Sequence, residues 1–372
     1  MNRKTLISGY QFFCMIFLFE IGSTSLVGVT SMAKQDTWIS IMISIFLGAM
    51  LFYVYIKLYE NYPGYPLTKY VQFILGKKAG SVLSIIYIIF FIYISGRILR
   101  DMEDLLTMTM FNSTSLISIG ILMMFLVIYG LFKGLETLAR TTEVIFILII
   151  ISIVILLGFE VISKLYHIAN LRPVLEKGWK PVLKAIPYGV IFPYGELIAF
   201  TMIMPYLNTK EKALKVGIPA IFFSGFILLI LIIKSIATLG ISVMERAEFP
   251  ILTATSYINI ANFIQRLDTF IVILMIFGGF VKLSIYTYCA VSGAADLFNV
   301  KSSSQLIYPI SVVILISSLL MASNHIEHRN EGFGSVPYFL HYPLHVFIPI
   351  TLLIISWIQK KFGSNDRELT SE

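Results

Sequence analysis

Residues 186–200 read IPYGVIFPYGELIAF, a hydrophobic stretch that contains two prolines, two glycines and one acid. Pro193 has no N–H to donate and its ring crowds the preceding turn, so a helix is broken or kinked there. Gly195 lets the backbone leave helical dihedral angles, and Glu196 would be costly to expose to lipid. Because unwound backbone at membrane depth is tolerated only inside the protein or beside a wet cavity, the stretch predicts a discontinuous helix that holds a binding site.

The composition of the whole chain places this stretch in a membrane. Of the 372 residues, 57% are hydrophobic and 13% are charged, whereas roughly 25% are charged in a soluble domain. Several apolar runs of about 20 residues indicate a polytopic helical protein in a lipid bilayer. The net charge of +7 is therefore expected to follow membrane topology, and it is not interpreted as a sign of nucleic-acid binding.

Ten hydrophobic spans can be placed along the chain, and no connection is long enough for a soluble domain. Lysine and arginine are more frequent in the loops on one side, which favours both termini in the cytoplasm. We expect a single transmembrane domain over residues 1–372, with residues 359–372 as a flexible cytoplasmic tail. The predicted spans are 8–31, 38–59, 80–106, 113–133, 141–163, 183–206, 214–240, 267–294, 305–323 and 335–358.

The first span contains the same kinds of residue as the sixth. Residues 19–28 read FEIGSTSLVG, with an acid, two glycines and a polar cluster at mid-depth. Interrupted helices at corresponding places in two halves are typical of transporters that have inverted repeats and a midplane site. We therefore predict an all-α integral membrane protein with ten transmembrane helices in two five-helix repeats, about 8–163 and 183–358, with helices 1 and 6 broken.

Two further segments have structural interpretations. The charged cluster from Arg97 to Asp104, at the end of the third span, is interpreted as a solvated helix end with local ion pairs. Pro250 suits a helix start, and the apolar residues after it recur at helical spacing. This second segment predicts a short amphipathic helix at the outer vestibule.

The histidines do not indicate a metal centre. His325 lies close to His328, and His341 to His345, but Pro343 interrupts the helical alignment that the second pair would need. The sequence contains no phosphate-binding loop and no nucleophile elbow. We therefore expect no catalytic residues, no metal and no cofactor.

With these residues assembled, the chain resembles the spore germination permease family, the B subunits of nutrient germinant receptors. The most specific stretch is 192–196 followed by Met204-Pro205, and Phe249-Pro250 and Tyr342-Pro343 are also similar. The family belongs to the amino acid–polyamine–organocation (APC) superfamily, which has the LeuT-type fold. The resemblance implies a protein of the spore inner membrane that works with an A-type subunit and a lipoprotein C-type subunit. It also implies a small nutrient ligand, typically an amino acid, whose binding starts germination.

An α-amino acid presents a carboxylate and an ammonium group close together, so its site needs adjacent donors and acceptors. The restarted half of helix 1 would offer N–H groups to the carboxylate, and the unwound carbonyls of helix 6 would accept from the ammonium group. The glycines could instead serve close helix packing. The candidate ligand-binding residues, at the midplane between helices 1, 3, 6 and 8, are Gly22, Ser23, Thr24, Tyr194, Gly195, Glu196, Ser284 and Tyr288.

Three charged residues inside the spans are candidates for a proton-carrying or ion-pairing role. Glu196 has three interpretations: it senses the ligand ammonium, carries a coupling proton, or forms a buried ion pair with Lys282. Glu20 in the first span is similar. Lys282 could also stand in for the sodium ion that sodium-coupled members of this fold bind.

Two functions would share this site. The first is a germinant-sensing receptor subunit, and the second is an amino acid transporter, either proton-coupled or uncoupled. The local chemistry is the same for both, and the family resemblance favours the receptor subunit.

Overall fold

The computed structural model of the chain is built almost entirely of helices. It describes residues 6–27, 31–208, 213–260, 264–265 and 267–361, and it gives only the backbone of residues 23–27, 31, 264 and 265. Within these ranges the one sheet is a two-residue antiparallel ladder, β1 (Asn259–Ile260) with β2 (Ile264–Gln265). The α-helices are α1 (Gly9–Val27), α2 (Thr37–Asn61), α3 (Leu67–Leu75), α4 (Lys77–Thr109), α5 (Leu116–Lys133), α6 (Leu135–Ile162), α7 (Trp179–Ile191), α8 (Ala213–Met244), α9 (Pro250–Ser256), α10 (Asp268–Leu297), α11 (Ser304–Leu320), α12 (His325–Phe333) and α13 (Ile348–Lys361).

Eight helical segments of the described chain are long and apolar enough to cross a membrane. A ninth crossing results if α11 and α12, which meet at a bend of 102°, form one broken span. The apolar helix α1 is shorter over its fully described part, Gly9–Gly22. An all-helical, multi-pass membrane architecture is thus confirmed. Helical segments lie within every predicted span, and the sixth and tenth spans each contain more than one such segment. The arrangement of ten crossings in two inverted five-helix repeats stays a prediction.

The sixth span is interrupted where the sequence predicted. Helix α7 ends at Ile191, Phe192 has extended backbone angles (φ -137°, ψ 112°), and a 3₁₀ segment, Tyr194–Met202, follows Pro193. The hydroxyl of Tyr55 in α2 lies 2.9 Å from the carbonyl oxygen of Gly195, within hydrogen-bond distance. The unwound backbone therefore finds a partner inside the protein, as backbone at membrane depth must.

The first span, in contrast, is not interrupted over its described residues, 8–27. The backbone of α1 is helical from Gly9 to Val27, straight through Gly22. One glycine costs a helix only about 1 kcal/mol, and Gly22 packs so closely on the backbone of Gly278 in α10 that a Cβ would collide with it. The predicted break in helix 1 is wrong for the described backbone, because here the glycine allows two helices to approach closely.

The end of the chain differs from the prediction in one respect. Helix α13 continues to Lys361, so the first residues of the predicted flexible tail are helical. The rest of that tail, 362–372, lies outside the described residues.

Packing around α1 and α10 sets up the central region of the molecule. Helix α1 packs on α6, α8 and α10, and α10 also packs on α4. The ring centroid of Phe19 in α1 lies 5.2 Å from that of Tyr286 in α10 and 5.2 Å from that of Phe200 in the 3₁₀ segment. Phe19 therefore connects α1, α10 and the interrupted sixth span.

Candidate functional site

A cavity of about 90 Å³ lies beside the interruption of the sixth span. Since a water molecule takes about 30 Å³ of the liquid, this volume is room for a few waters or a small solute. Its walls come from α4, the end of α7, the 3₁₀ segment, α12 and the segments around α9 and the π-helical stretch Pro337–Phe347. Both signs of charge are present in the lining, whose titratable residues are Arg97, Asp101, Tyr188, Glu196, Glu248, His325, His328, Arg329 and His341.

Glu196 forms an ion pair with Lys282 of α10. The Nζ of Lys282 donates to Oε2 of Glu196, and the two side chains are only 0% and 3% exposed. The same Nζ lies 5.0 Å from the ring centroid of Phe19 and 4.7 Å from that of Phe192. The sequence left three interpretations of Glu196 open, and the pair with Lys282 is the arrangement in the structure. Glu196 also lines the cavity, so the pair lies beside an empty space.

A second buried ion pair lies away from the cavity lining. Lys234 of α8 has its Nζ 2.5 Å from Oε1 of Glu160 at the end of α6, and 3.2 Å from Oγ1 of Thr255 in α9. The Tyr166 hydroxyl, in the loop after α6, donates to the other oxygen of Glu160 at 2.7 Å. Burial, and then this hydrogen bond, raises the pKa of Tyr166. The cluster holds α6, α8 and α9 together. The predicted helix start at Pro250 is confirmed by α9, Pro250–Ser256, and its place at an outer vestibule stays a prediction.

The charged cluster at the end of α4 is buried, not solvated. Arg100 is 3% exposed and Glu103 is 0% exposed. Arg100 pairs locally with Asp104 at 3.0 Å, but its Nη1 also donates to the carbonyls of Ser318 and Ala322 at 3.3 and 3.1 Å. The interpretation as a solvated helix end is wrong, because the end of α11 and the segment after it cover this part of α4.

Helix α12 covers the cavity and is held by polar contacts. It begins with a capping box, in which the Asn324 side chain accepts from the Glu327 N–H at 2.9 Å and the Glu327 carboxylate accepts from the Ser323 N–H at 2.7 Å. Because α12 is polar and turns 102° away from α11, we treat it as lying outside the membrane-spanning helices.

Three side chains of α12 reach across to acids on other elements. The Nδ1 of His325 lies 3.1 Å from Asp104 Oδ2, and its Nε2 lies 3.2 Å from Glu248 Oε2. The Nε2 of His328 lies 2.8 Å from Asp101 Oδ1, and Arg329 donates to Glu248 at 2.7 Å. In addition, Arg97 of α4 donates from its Nη2 to the backbone carbonyl of His328 at 2.6 Å. The hydrogen bond to Asp104 raises the pKa of His325, helped by the charges of Asp104, Glu248 and Asp101 and opposed by burial.

We expect the contacts of α12 to weaken as the pH rises through the raised pKa of His325. Protonated His325 attracts Asp104 and Glu248, so this stabilisation is complete below the ordinary pKa of about 6.5 and is lost above the raised value. The measurement is the rate at which a thiol reagent modifies Ile98→Cys, in the cavity lining, between about pH 6 and about pH 9. Background reaction is low because Cys14 and Cys289 are buried.

The control for this experiment is the double variant Ile98→Cys/His325→Gln. Both proteins share the ionisation of the new thiol, and only the first keeps a titrating side chain at position 325. We expect the modification rate of the single variant to rise more steeply with pH. If the modification rates of the two variants rose equally with pH, His325 would have no role in holding α12 over the cavity.

Two histidines of the π-helical stretch form a stacked pair beside the cavity. The rings of His341 and His345 are 4.8 Å apart at an interplanar angle of 26°, and both are buried. Neither ring nitrogen of His341 has a hydrogen-bond partner among the described residues, and the His345 ring packs against Gly195. The wider π turn brings the rings together in spite of Pro343, contrary to the sequence expectation. The described residues contain no group of three or more histidines, cysteines or acids arranged to hold a metal ion.

Of the predicted ligand-binding residues, Glu196 is the one found in the described cavity lining. The side chains of Ser23 and Thr24 lie outside the described part of the structure. Gly22 lies at the contact with α10, and Gly195 lies beneath the ring of His345. Their roles in ligand binding stay predictions.

The remaining predicted residues face other helices. Tyr194 packs against Gly48 of α2 and Gly225 of α8. Ser284 is buried with no hydrogen-bond partner among the described residues, and Tyr288 packs edge-on against Tyr206 at 6.2 Å. Glu20 accepts a hydrogen bond from Ser224 of α8.

The cavity residues that the sequence did not predict come mainly from α4 and α12. The cluster at residues 97–104 was visible, and so was the capping box before His325, which marks a helix start. What the sequence lacked was any sign that these two segments meet, since Asp101 and His328 are 227 residues apart.

Comparison of the chain with known proteins shows which family it belongs to. A family model described as "Spore germination protein" (spore permease) matches residues 6–326. The chain is 37% identical to Spore germination protein KB of Bacillus subtilis (strain 168), over 96% of each chain. It is 26% identical to Spore germination protein YndE of the same organism, over 88% of this chain and 89% of the relative. It is 24% identical to Spore germination protein XB of Bacillus anthracis, over 94% and 98%. The chain therefore belongs to the spore germination permease family.

Proposed function

We propose that this chain is the nutrient-sensing membrane subunit of a spore germinant receptor, and that the nutrient binds in the cavity beside Glu196. The observation that carries the proposal is a cavity that reaches a buried charged pair at a helix interruption, in a chain of the spore germination permease family. In secondary transporters, discontinuous helices of this kind hold the substrate. In this proposal the chain lies in the spore inner membrane, with both termini in the cytoplasm, beside an A-type and a lipoprotein C-type subunit.

The charges of the cavity support an amino acid as the nutrient. Glu196, Asp101 and Glu248 supply negative charge, and Arg97 and Arg329 supply positive charge, within one lining. A zwitterion needs both signs. The interaction with Glu196 is strengthened because little water screens this buried carboxylate. The ammonium group of the nutrient is placed at Glu196. The other predicted ligand-binding residues lie outside the described cavity lining, so this proposal gives them no direct contact with the nutrient.

The test is to fill the cavity. Spores that carry Ile98→Trp are expected to need about tenfold more nutrient, or more, for half-maximal germination, since each loss of about 1.4 kcal/mol in binding is a factor of ten. The added ring enters space that is already empty, so the protein level in the membrane should be unchanged. Germination is followed across a panel of amino acids and neutral polar nutrients.

The matched control is Ile121→Trp, at a position in α5 that is 51% exposed on the outer surface of the bundle. It adds the same side chain away from the cavity and should leave the response unchanged. An Ile98→Trp strain with normal protein level and normal response to every nutrient would place the sensing site elsewhere. A shift confined to neutral polar nutrients would replace the amino acid by that class of ligand.

A further inference from the structure

The surroundings of the Lys282 head group have the composition of a binding site for an ammonium ion. The Glu196 carboxylate supplies a hydrogen-bond acceptor and negative charge, and the rings of Phe19 and Phe192 lie 5.0 and 4.7 Å from the Nζ. A cation within about 6 Å of a ring centroid is attracted by the negative face of the ring. We call Glu196, Phe19 and Phe192 the ammonium subsite.

The ammonium subsite is shared between Lys282 and the cavity. Glu196 and Phe192 both line the cavity, whereas Lys282 is not among the residues of that lining. A solute in the cavity therefore reaches the carboxylate and one ring of the subsite directly. A primary ammonium group on that solute carries the same charge and the same three N–H donors as the head group of lysine, so the two would compete for one carboxylate.

The geometry points to a displacement mechanism, in which the subsite recognises a primary ammonium group, Lys282 fills it in this structure, and the ammonium of the nutrient replaces Lys282 there. This inference rests on the proposed function and deepens it, because it names the recognised group of the ligand and the change that binding causes. Exchange of one ammonium for another keeps Glu196 paired, but it leaves the buried Lys282 head group in need of another acid. Glu20 of α1, whose carboxylate already interacts electrostatically with Lys282, is the acid that takes over this role. Since α10 packs on both α1 and α4, movement of Lys282 changes the contacts of the helix between them.

The first experiment asks whether the subsite binds a free ammonium ion. In purified Lys282→Ala protein the lysine head group is gone, and methylammonium chloride is the probe. We expect a saturable rise in melting temperature with methylammonium and none with sodium chloride at the same concentrations. The Lys282→Ala/Ile98→Trp variant, in which the cavity is blocked, should lose the rise.

Two controls make this result specific. Lys234→Ala breaks the other buried pair, which lies away from the cavity lining, and Glu196→Gln/Lys282→Met removes the charge of the subsite. Neither should gain stability from methylammonium. The inference is overturned if Lys282→Ala shows no saturable rise, if it cannot be purified folded even in methylammonium, or if Lys234→Ala responds equally. Because the assay uses no nutrient and no spores, it fails independently of the cavity-filling test.

The second experiment addresses displacement itself. Lys282→Arg keeps the charge, but a guanidinium group makes a bidentate, pre-organised contact with a carboxylate and is harder to replace. Spores that carry this variant are expected to need about tenfold more nutrient, which corresponds to about 1.4 kcal/mol in favour of the internal pair. An unchanged nutrient requirement at normal protein level would mean that the nutrient does not displace Lys282.

Discussion

Lys282→Met alone is expected to destabilise the protein by about 3–5 kcal/mol, because it leaves the carboxylate of Glu196 buried without its partner. Glu196 is 3% exposed on its side chain and Lys282 is 0% exposed. The few waters that the cavity can hold beside Glu196 do not carry the positive charge of the missing ammonium. We expect a lower melting temperature of the purified protein in detergent, and less protein in the membrane by blotting.

The double variant Glu196→Gln/Lys282→Met should recover most of this loss. Replacement of a whole buried ion pair by neutral side chains of similar volume is often neutral or stabilising. Lys177→Met, at an exposed loop position, controls for the substitution itself and should change stability by no more than about 0.5 kcal/mol. A stable Lys282→Met protein with a normal nutrient response would end the account of this pair as a structural and sensing element.

The ion pair and the helix interruption were within reach of the sequence because each follows from local chemistry. Pro193 has no N–H to donate and its ring crowds the preceding turn, and the structure ends α7 two residues before it. Glu196 and Lys282 lie in apolar spans, where a charge must find a partner inside the protein. Because the apolar spans contain few charges of opposite sign, the pairing of Glu196 with Lys282 was one of the three interpretations of Glu196 that the sequence allowed. The multi-pass helical architecture could be predicted too, because hydropathy is also a local property of the sequence.

The residues that hold α12 over the cavity were not within reach, because they depend on which distant segments meet. Asp101 of α4 and His328 of α12 are titratable, and titratable side chains are exposed to solvent in most proteins. Nothing in the sequence therefore indicated that the two would be in contact. Their contact arises only because α12 turns sharply away from α11. Gly22 shows the converse limit: its sequence neighbourhood is that of a helix break, but packing on α10 keeps the helix intact. Tertiary contacts decided both cases.

That packing leads to the second large effect, which is expected for Gly22→Ala. A Cβ on Gly22 would collide with the backbone of Gly278, and a Cβ on Gly278 would lie 2.6 Å from the Cα of Gly22. Backbone cannot rotate aside as a side chain can, so the substitution must push α1 and α10 apart. We expect a destabilisation of about 1–3 kcal/mol from overpacking. Phe19, less than one helical turn before Gly22, should move away from Lys282 at the same time.

Gly158→Ala in α6 is the matched control, because nothing lies within 4 Å of a Cβ added there. It should be neutral or stabilise the helix by up to about 1 kcal/mol, so the difference in melting temperature between the two variants isolates the contact of α1 with α10. A nutrient response that falls with Gly22→Ala is then explained by stability, unless protein level and melting temperature match those of Gly158→Ala. That match would mean that the two helices are not in close contact at Gly22, and the ligand site would become the best explanation for this glycine.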